Sequence, residues 1–202
     1  MLVCRLIKYV SPKHKFLRIK LHFPQTHLRR NFSFTQFEFS LTNRKALKNG
    51  TIQACKDSCI VPIASNPLDN DLCSGVFTAN NPTGGVAGGE IKFNFKKVLE
   101  PLIPIHDAQL RVAKKVKERL RKEFREEQDR RSRKYQNPMA GNGDKEITPY
   151  QVAINYVVAK GAVPVPVIKN NKEAEELLGC LGWGLNDEEV AILDSAADLC
   201  GR

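Results

Sequence analysis

The chain has 202 residues, 32 of them basic and 22 acidic, for a formal net charge of +10, with 42% hydrophobic and 7% aromatic side chains. That length buries one good core but falls short of the roughly 250 residues of a complete eight-fold α/β barrel, and no run of eighteen apolar residues offers an ordinary transmembrane helix. The charge is concentrated: residues 1–30 hold eight basic side chains and no acid, residues 111–134 hold twelve basic and five acidic ones, and the other 148 residues hold twelve basic and seventeen acidic ones, a net −5. The folded body is therefore slightly acidic, and no scaffold for specific nucleic-acid recognition accompanies the two basic segments.

In chain order, the basic leader MLVCRLIKYVSPKHKFLRIKLHFPQTHLRR (1–30) reads as an organellar transit peptide, a non-native start or a basic binding arm. Its adjacent Lys8 and Tyr9 carry no catalytic expectation, because acid catalysis needs a donor and a base held by rigid elements. FTQFEFSL (34–41) has strand character, ALKNGTIQACKDSC (46–59) predicts one short helix, and IVPIAS (60–65) predicts a buried strand. The Gly- and Asn-rich NNPTGGVAGGE (80–90) is a loop. Helical sequence resumes near Phe95, and Val112, Val116, Leu120 and Phe124 recur every four residues as one apolar stripe on a strongly charged helix. That helix is expected to fray through EEQDRRSRK (126–134) into the loop NPMAGNGDKE (137–146).

The last quarter is the most regular. Thr148 caps a helix with Pro149 at its first position, Val152, Ala153, Tyr156 and Val157 supply its buried face, and Gly161 stops it. AVPVPVI (162–168) predicts a short internal strand whose prolines force an irregular ladder. Asn170 with Glu173 opens the next helix and Gly179 closes it, and Asn186 with Glu189 repeats the device before the terminal helix. Three strands, each followed by helical sequence, predict βα units around a parallel sheet, an α/β fold. The six cysteines (4, 55, 59, 73, 180 and 200) and four histidines (14, 22, 27 and 106) fall into no metal-ligand spacing, so no metal site is expected. Reduced thiols fit an intracellular protein, whether cytoplasmic, plastid or mitochondrial.

Three stretches carry a specific likeness. QVAINYVVAKGAVPVPVIKNNKEAEELLGCLGWGLNDEEVAILDSAA (151–197) resembles the C-terminal end of an aldo-keto reductase, and TQFEFSLTNR (35–44) and IVPIASNPLDNDLCSGVF (60–77) resemble the sixth and seventh strand regions of that family's barrel. The resemblance implies the C-terminal half of a TIM (β/α)8 barrel, strands six to eight with the terminal helices. Residues 1–30 form an unmatched leader, 31–202 the partial reductase domain, and 111–146 an expanded helix and loop. It also implies an NADP-dependent oxidoreductase that, in a complete homologue, moves hydride between the nicotinamide and a small-molecule carbonyl or alcohol. The family's catalytic Asp, Tyr, Lys and His lie in the first half of the barrel, so no catalytic residue is carried over.

The cofactor half transfers residue by residue. Lys169 matches the family's cation for the adenosine 2′-phosphate and Asn170 its neighbour, while Glu173 stands where Gln is frequent and Leu177 where Asn reaches the adenine. Gln36 matches the holder of the nicotinamide carboxamide, with Thr35 replacing the preceding Asn. Ser65 and Asn66 replace the Tyr and Ser of a Tyr-Ser-Pro-Leu run of which Pro67 and Leu68 persist. Asp71 replaces the glycine of a pyrophosphate-facing loop, Ser74 and Gly75 keep its small polar character, and Val76 replaces a lysine. A serine offers no ring face for stacking and a carboxylate repels phosphate, so NADP(H) binding is expected to be weak or lost. The alternative is a non-catalytic interaction or scaffold protein that uses the basic helix 111–134 to reach a protein partner.

Overall fold

The computed structural model describes residues 6–10, 17–21, 33–84, 95–131 and 146–201. Strands β1 (Leu6–Val10) and β2 (Leu17–Leu21) pair antiparallel, and β2 lies antiparallel on β3 (Ser33–Glu38), with Leu17 opposite Gln36 and Lys20 opposite Ser33. β3 is followed by α1 (Lys45–Lys48) and α2 (Thr51–Asp57), which lead to β4 (Ile60–Ser65). A π turn (Phe95–Leu99) and a 3-10 turn (Glu100–Leu102) then open α3 (Ile103–Arg131), which precedes α4 (Pro149–Ala159). β5 (Val163–Val165), α5 (Asn171–Leu178) and α6 (Asp187–Leu199) complete the order. β3, β4 and β5 run parallel, and the sheet order β1-β2-β3-β4-β5 does not close on itself. The expected βα units and parallel sheet are present, with an antiparallel pair added on the β3 side. β2 covers the outer edge of β3, and among the described residues no strand pairs with the outer edge of β5.

Local chemistry explains several element boundaries. The helix expected over 46–59 is two, because Gly50 between α1 and α2 sits at φ 76, a left-handed conformation that interrupts the turn and suits a residue without Cβ. The strand expected over 162–168 is confined to Val163–Val165, since Pro164 and Pro166 withhold ladder donors. A prolyl nitrogen fits an edge strand when it faces away from the neighbour, and the β4 ladder pairs Ile63 with Val163 and Ser65 with Val165 on either side of Pro164. The α3 helix continues to Arg131 rather than fraying from residue 126. Residues 85–90 of the Gly-rich segment and 137–145 of the second expected loop lie outside the described residues, as does most of the leader.

The three helix caps of the last quarter form as expected. The Thr148 side chain accepts from Gln151 N–H, Asn170 from Glu173 N–H, and Asn186 forms a reciprocal capping box with Glu189. These caps fix where α4, α5 and α6 begin, and hence where the loops preceding them sit.

Helices cover one face of the parallel strands. Thr35, Pro62 and Ala64 are buried there, and the core beneath them gathers Phe39, Leu41, Ile52, Val112, Val116, Val152, Tyr156 and Leu193. Strand alternation sends the other set to the opposite face, where the register aligns Gln36 with Ile63 and Val163, and Glu38 with Ser65 and Val165. Val163 and Val165 are 50% and 51% exposed, whereas parallel sheets in closed folds are covered on both faces.

The N-terminal half of α3 is part of this core. Val112 and Val116 are fully buried, with Leu120 packed beside them. Its charged flank is tied to α6: Lys115 Nζ lies 2.6 Å from Glu188, and Arg119 grips both carboxylate oxygens of buried Glu189 at 3.1 Å while donating to the Gly184 carbonyl at 2.7 Å. Lys115 holds the Glu188 carboxyl below the usual carboxylate range by hydrogen bond and charge.

Candidate functional site

The residues singled out from the sequence lie at the C-terminal ends of the parallel strands and in the loops that leave them. Gln36 and Ser65 share the face of the sheet that the helices leave uncovered, and both are half-buried. Beyond Ser65 the chain turns sharply. Asn66 (φ 52), Asp69 (φ 48), Asn70 (φ 55) and Asp71 (φ 76) are all left-handed, a conformation that Asn and Asp tolerate better than other side-chain-bearing residues. Asn66 supports the turn by accepting from Asn70 N–H at 2.9 Å, while buried Pro67, Leu68, Leu72 and Cys73 anchor it to the core.

Three further elements hold this loop. From the segment after β3, Thr42 Oγ1 donates to Asp69 Oδ2 at 2.7 Å and contacts Cys73 Sγ at 3.3 Å. From α3, buried His106 Nε2 donates to the Leu72 carbonyl at 2.9 Å, and buried Gln109 Nε2 donates to the carbonyls of Cys73 at 2.8 Å and Pro149 at 2.9 Å. Burial pushes His106 below the ordinary histidine value despite its carbonyl partner and Asp107, so its ring is neutral at pH 7. Within the loop, Ser74 Oγ donates to the Asp71 carbonyl at 2.7 Å and accepts from Val76 N–H at 3.1 Å.

Gly75 closes the loop against α4. Its φ is 80, and a Cβ built there would stand 2.8 Å from Pro149 Cβ and 2.9 Å from Pro149 Cγ. Gly75→Ala combines a disfavoured conformation with a collision against a rigid ring, so it is expected to destabilise the chain by about 2 kcal/mol. A urea midpoint unchanged from wild type would contradict that.

The loop after β5 brings the second group of predicted residues. Lys169 Nζ reaches Asp71 Oδ2 at 3.9 Å, joining the β4 loop to the start of α5. Glu173 folds back on that start: its carboxylate accepts from the Lys169 backbone N–H at 2.7 Å and from Asn170 Nδ2 at 3.1 Å, while its own N–H donates to Asn170 Oδ1 at 2.9 Å. Lys169, Asn170, Glu173 and Asp71 thus form one cluster, and Ser74 lies on the same loop as Asp71. Leu177 packs against the core instead of offering a polar group.

One residue of this region is invisible to motif reading. Tyr150, 8% exposed, stands in the first turn of α4, and among the described residues its hydroxyl has no hydrogen-bond partner. Burial, then the nearby Cys180, Glu173, Glu176 and Asp71, push its phenol up to about 12, so it remains an O–H at neutral pH. Nothing in the spacing around Tyr150 foretells this, because its neighbours come from three separate loops and helices.

A parallel βα array that stops short of closing, with its loops gathered at the C-terminal strand ends, defines an incomplete α/β barrel. Residues 18–198 match the aldo/keto reductase family model, and the chain belongs to that family. The chloroplastic pyridoxal reductase of Arabidopsis thaliana is 49% identical over 47 residues, 23% of this chain and 13% of that protein. A solved thermostable aldo-keto reductase, crystallised with an inhibitor, matches over 83% of this chain and 41% of its own, at 15% identity and a TM-score of 0.45. The chain therefore spans less than half the length of either relative. Among the described residues, no helix is long and apolar enough to cross a membrane, and no group of His, Cys, Asp and Glu stands ready to hold a metal.

Proposed function

We propose that the chain is the C-terminal half of an NADP-dependent aldo-keto reductase barrel, strands six to eight with their helices. In a complete homologue such a barrel transfers hydride between NADPH and a small-molecule carbonyl or alcohol. The observation that carries this reading is the placement of Gln36 and Ser65 on one face of the parallel strands, with Lys169 and Asn170 at the loop after the last of them. The residues that match the family are those of its cofactor half, and the acid–base set that reduces a carbonyl is assigned to the half that these strands do not represent. Residues 1–202 by themselves are therefore expected to lack carbonyl reductase activity.

The site fits the phosphorylated cofactor poorly. A 2′-phosphate at Lys169 meets the carboxylates of Asp71 and Glu173, Ser65 supplies no stacking surface, and Leu177 supplies no amide. Purified chain incubated with NADPH and a panel of aldehydes is expected to show no carbonyl-dependent oxidation. NADPH titration is expected to give weak or undetectable binding. Turnover comparable to a complete family member, or submicromolar affinity lost specifically in Lys169→Ala, would overturn the reading.

An interaction role for the basic helix rests on a narrower segment than 111–134. Lys115, Lys117 and Arg119 are paired with Glu188, Glu146 and Glu189, so a protein partner would have to use the outer turns around exposed Lys122 and Arg125. The plastid address in the name of the Arabidopsis relative favours the organellar option for the leader.

A further inference from the structure

The cluster at the start of α5 has the donors that an anion would use, and each of them already faces a carboxylate of the chain itself. The Lys169 backbone N–H and Asn170 Nδ2 are taken by the two oxygens of Glu173, at 2.7 and 3.1 Å. The Lys169 ammonium, on a side chain 65% exposed, is approached by Asp71 at 3.9 Å. We infer that Asp71 and Glu173 are built-in stand-ins for a phosphate, which keep this anion site closed to phosphate-bearing ligands and leave the bare adenosine as the ligand it discriminates least against. The inference rests on the reading of this region as the adenosine end of a dinucleotide site.

Two observations beyond the helix terminus support it. The backbone of left-handed Asp71 is fixed, since Ser74 Oγ donates to its carbonyl at 2.7 Å, and from that position its carboxylate reaches Lys169 Nζ at 3.9 Å. The Tyr150 hydroxyl, nine-tenths buried and without a hydrogen-bond partner among the described residues, lies within the electrostatic reach of Glu173, Glu176 and Asp71. A buried O–H left without an acceptor is a donor that a ligand hydroxyl or ring nitrogen would satisfy. A fully charged phosphate entering the same space would have to displace Glu173 from the α5 cap and lie against Asp71, both repulsive contacts at an exposed helix start.

The test compares adenosine 2′,5′-bisphosphate with adenosine 5′-monophosphate by calorimetric titration, on the full chain and on the variants Asp71→Asn and Asp71→Asn/Glu173→Gln. Circular dichroism confirms that the helices persist. Asp71→Asn leaves the Glu173 cap intact, so a result survives even where the double variant folds poorly. Wild type is expected to bind the bisphosphate no better than the monophosphate. Neutralising the carboxylates is expected to tighten the bisphosphate about tenfold and the monophosphate by clearly less, with the gain shrinking as salt is raised and the excess for the bisphosphate disappearing when Lys169→Ala is added. A wild-type preference for the bisphosphate, or folded variants that bind both ligands without any gain, overturns the inference and leaves the adenosine-site reading standing. If no folded protein binds either ligand, the adenosine-site reading falls, and the inference with it.

Discussion

Asp194→Ala is expected to lower the free energy of unfolding by about 3 kcal/mol, read as a shift of the urea midpoint at constant slope. Asp194 on α6 is where three distant segments converge. Its carboxylate accepts from the fully buried Tyr156 hydroxyl at 2.6 Å and from Lys160 Nζ at 2.6 Å, both on or next to α4, and faces Arg44 Nη1 at 3.4 Å from the segment after β3. Arg44 is 4% exposed and also pairs with Asp198. Burial first, and the bond to Asp194 second, hold the Tyr156 phenol far above its ordinary range, so it is a donor wherever the chain is folded. Truncating Asp194 leaves that buried hydroxyl without its acceptor, which costs about 1–3 kcal/mol. It also removes one countercharge from beside buried Arg44. The figure sits at the low end for a buried pair because Asp194 is itself partly solvated. Asp194→Asn keeps an acceptor for Tyr156 and is expected to lose less than Asp194→Ala; equal losses would assign the whole effect to charge.

Val116→Asp is expected to abolish cooperative folding or cost at least about 4 kcal/mol, since it buries an unpaired carboxylate in close-packed apolar surroundings. Val116 is fully buried within the core shared with Val112, Val152 and Leu193. On the same helix, Lys122→Glu and Arg125→Glu change exposed positions and are expected to move the thermal midpoint by no more than about a degree or two. The contrast divides α3 into a structural half and a solvated half. If Val116→Asp unfolded no earlier than Lys122→Glu, the stripe would have to be an accessory surface and not core.

The helix stripe shows how far the sequence could be read. The four-residue recurrence of Val112, Val116, Leu120 and Phe124 located the buried face at its first two members, with Leu120 packed beside them and Phe124 outside the core, because helix periodicity is a local property and where the stripe ends is set by its neighbours. The same holds for the caps at Thr148, Asn170 and Asn186, where a side chain and an N–H three residues on decide the geometry. Gly50 was within reach too, as a glycine inside an otherwise helical stretch. The strands of the leader were hidden by their charge: Leu17, Ile19 and Leu21 alternate with Arg18 and Lys20, a period of two that a count of basic residues passes over.

What the sequence did not disclose depends on distance along the chain. Arg44 and Asp194 are 150 residues apart, and only the packing of α6 beside the segment after β3 brings them together. Read singly, Asp71 conflicts with an anion site and Lys169 agrees with one, yet their approach to one another, and the turn of Glu173 back onto the Lys169 N–H, are products of the fold. Tyr150 had no signal at all, since an orphaned hydroxyl is defined by what surrounds it.

The short strand β5 has a further consequence. Exposed margins of sheets ordinarily invite polymerisation, because their unpaired donors and acceptors template the next chain. On β5, Val163 and Val165 serve β4, and the position turned outward between them is Pro164, with Pro166 following. That margin presents carbonyl oxygens without the N–H groups that a docking strand needs in alternation. The exposed valines make the surface greasy, but the backbone beneath them cannot propagate a ladder. The β5 margin of this unfinished barrel is thereby a poor template for a docking strand, and residues suited to an irregular ladder double as a stop signal for β-assembly on that side.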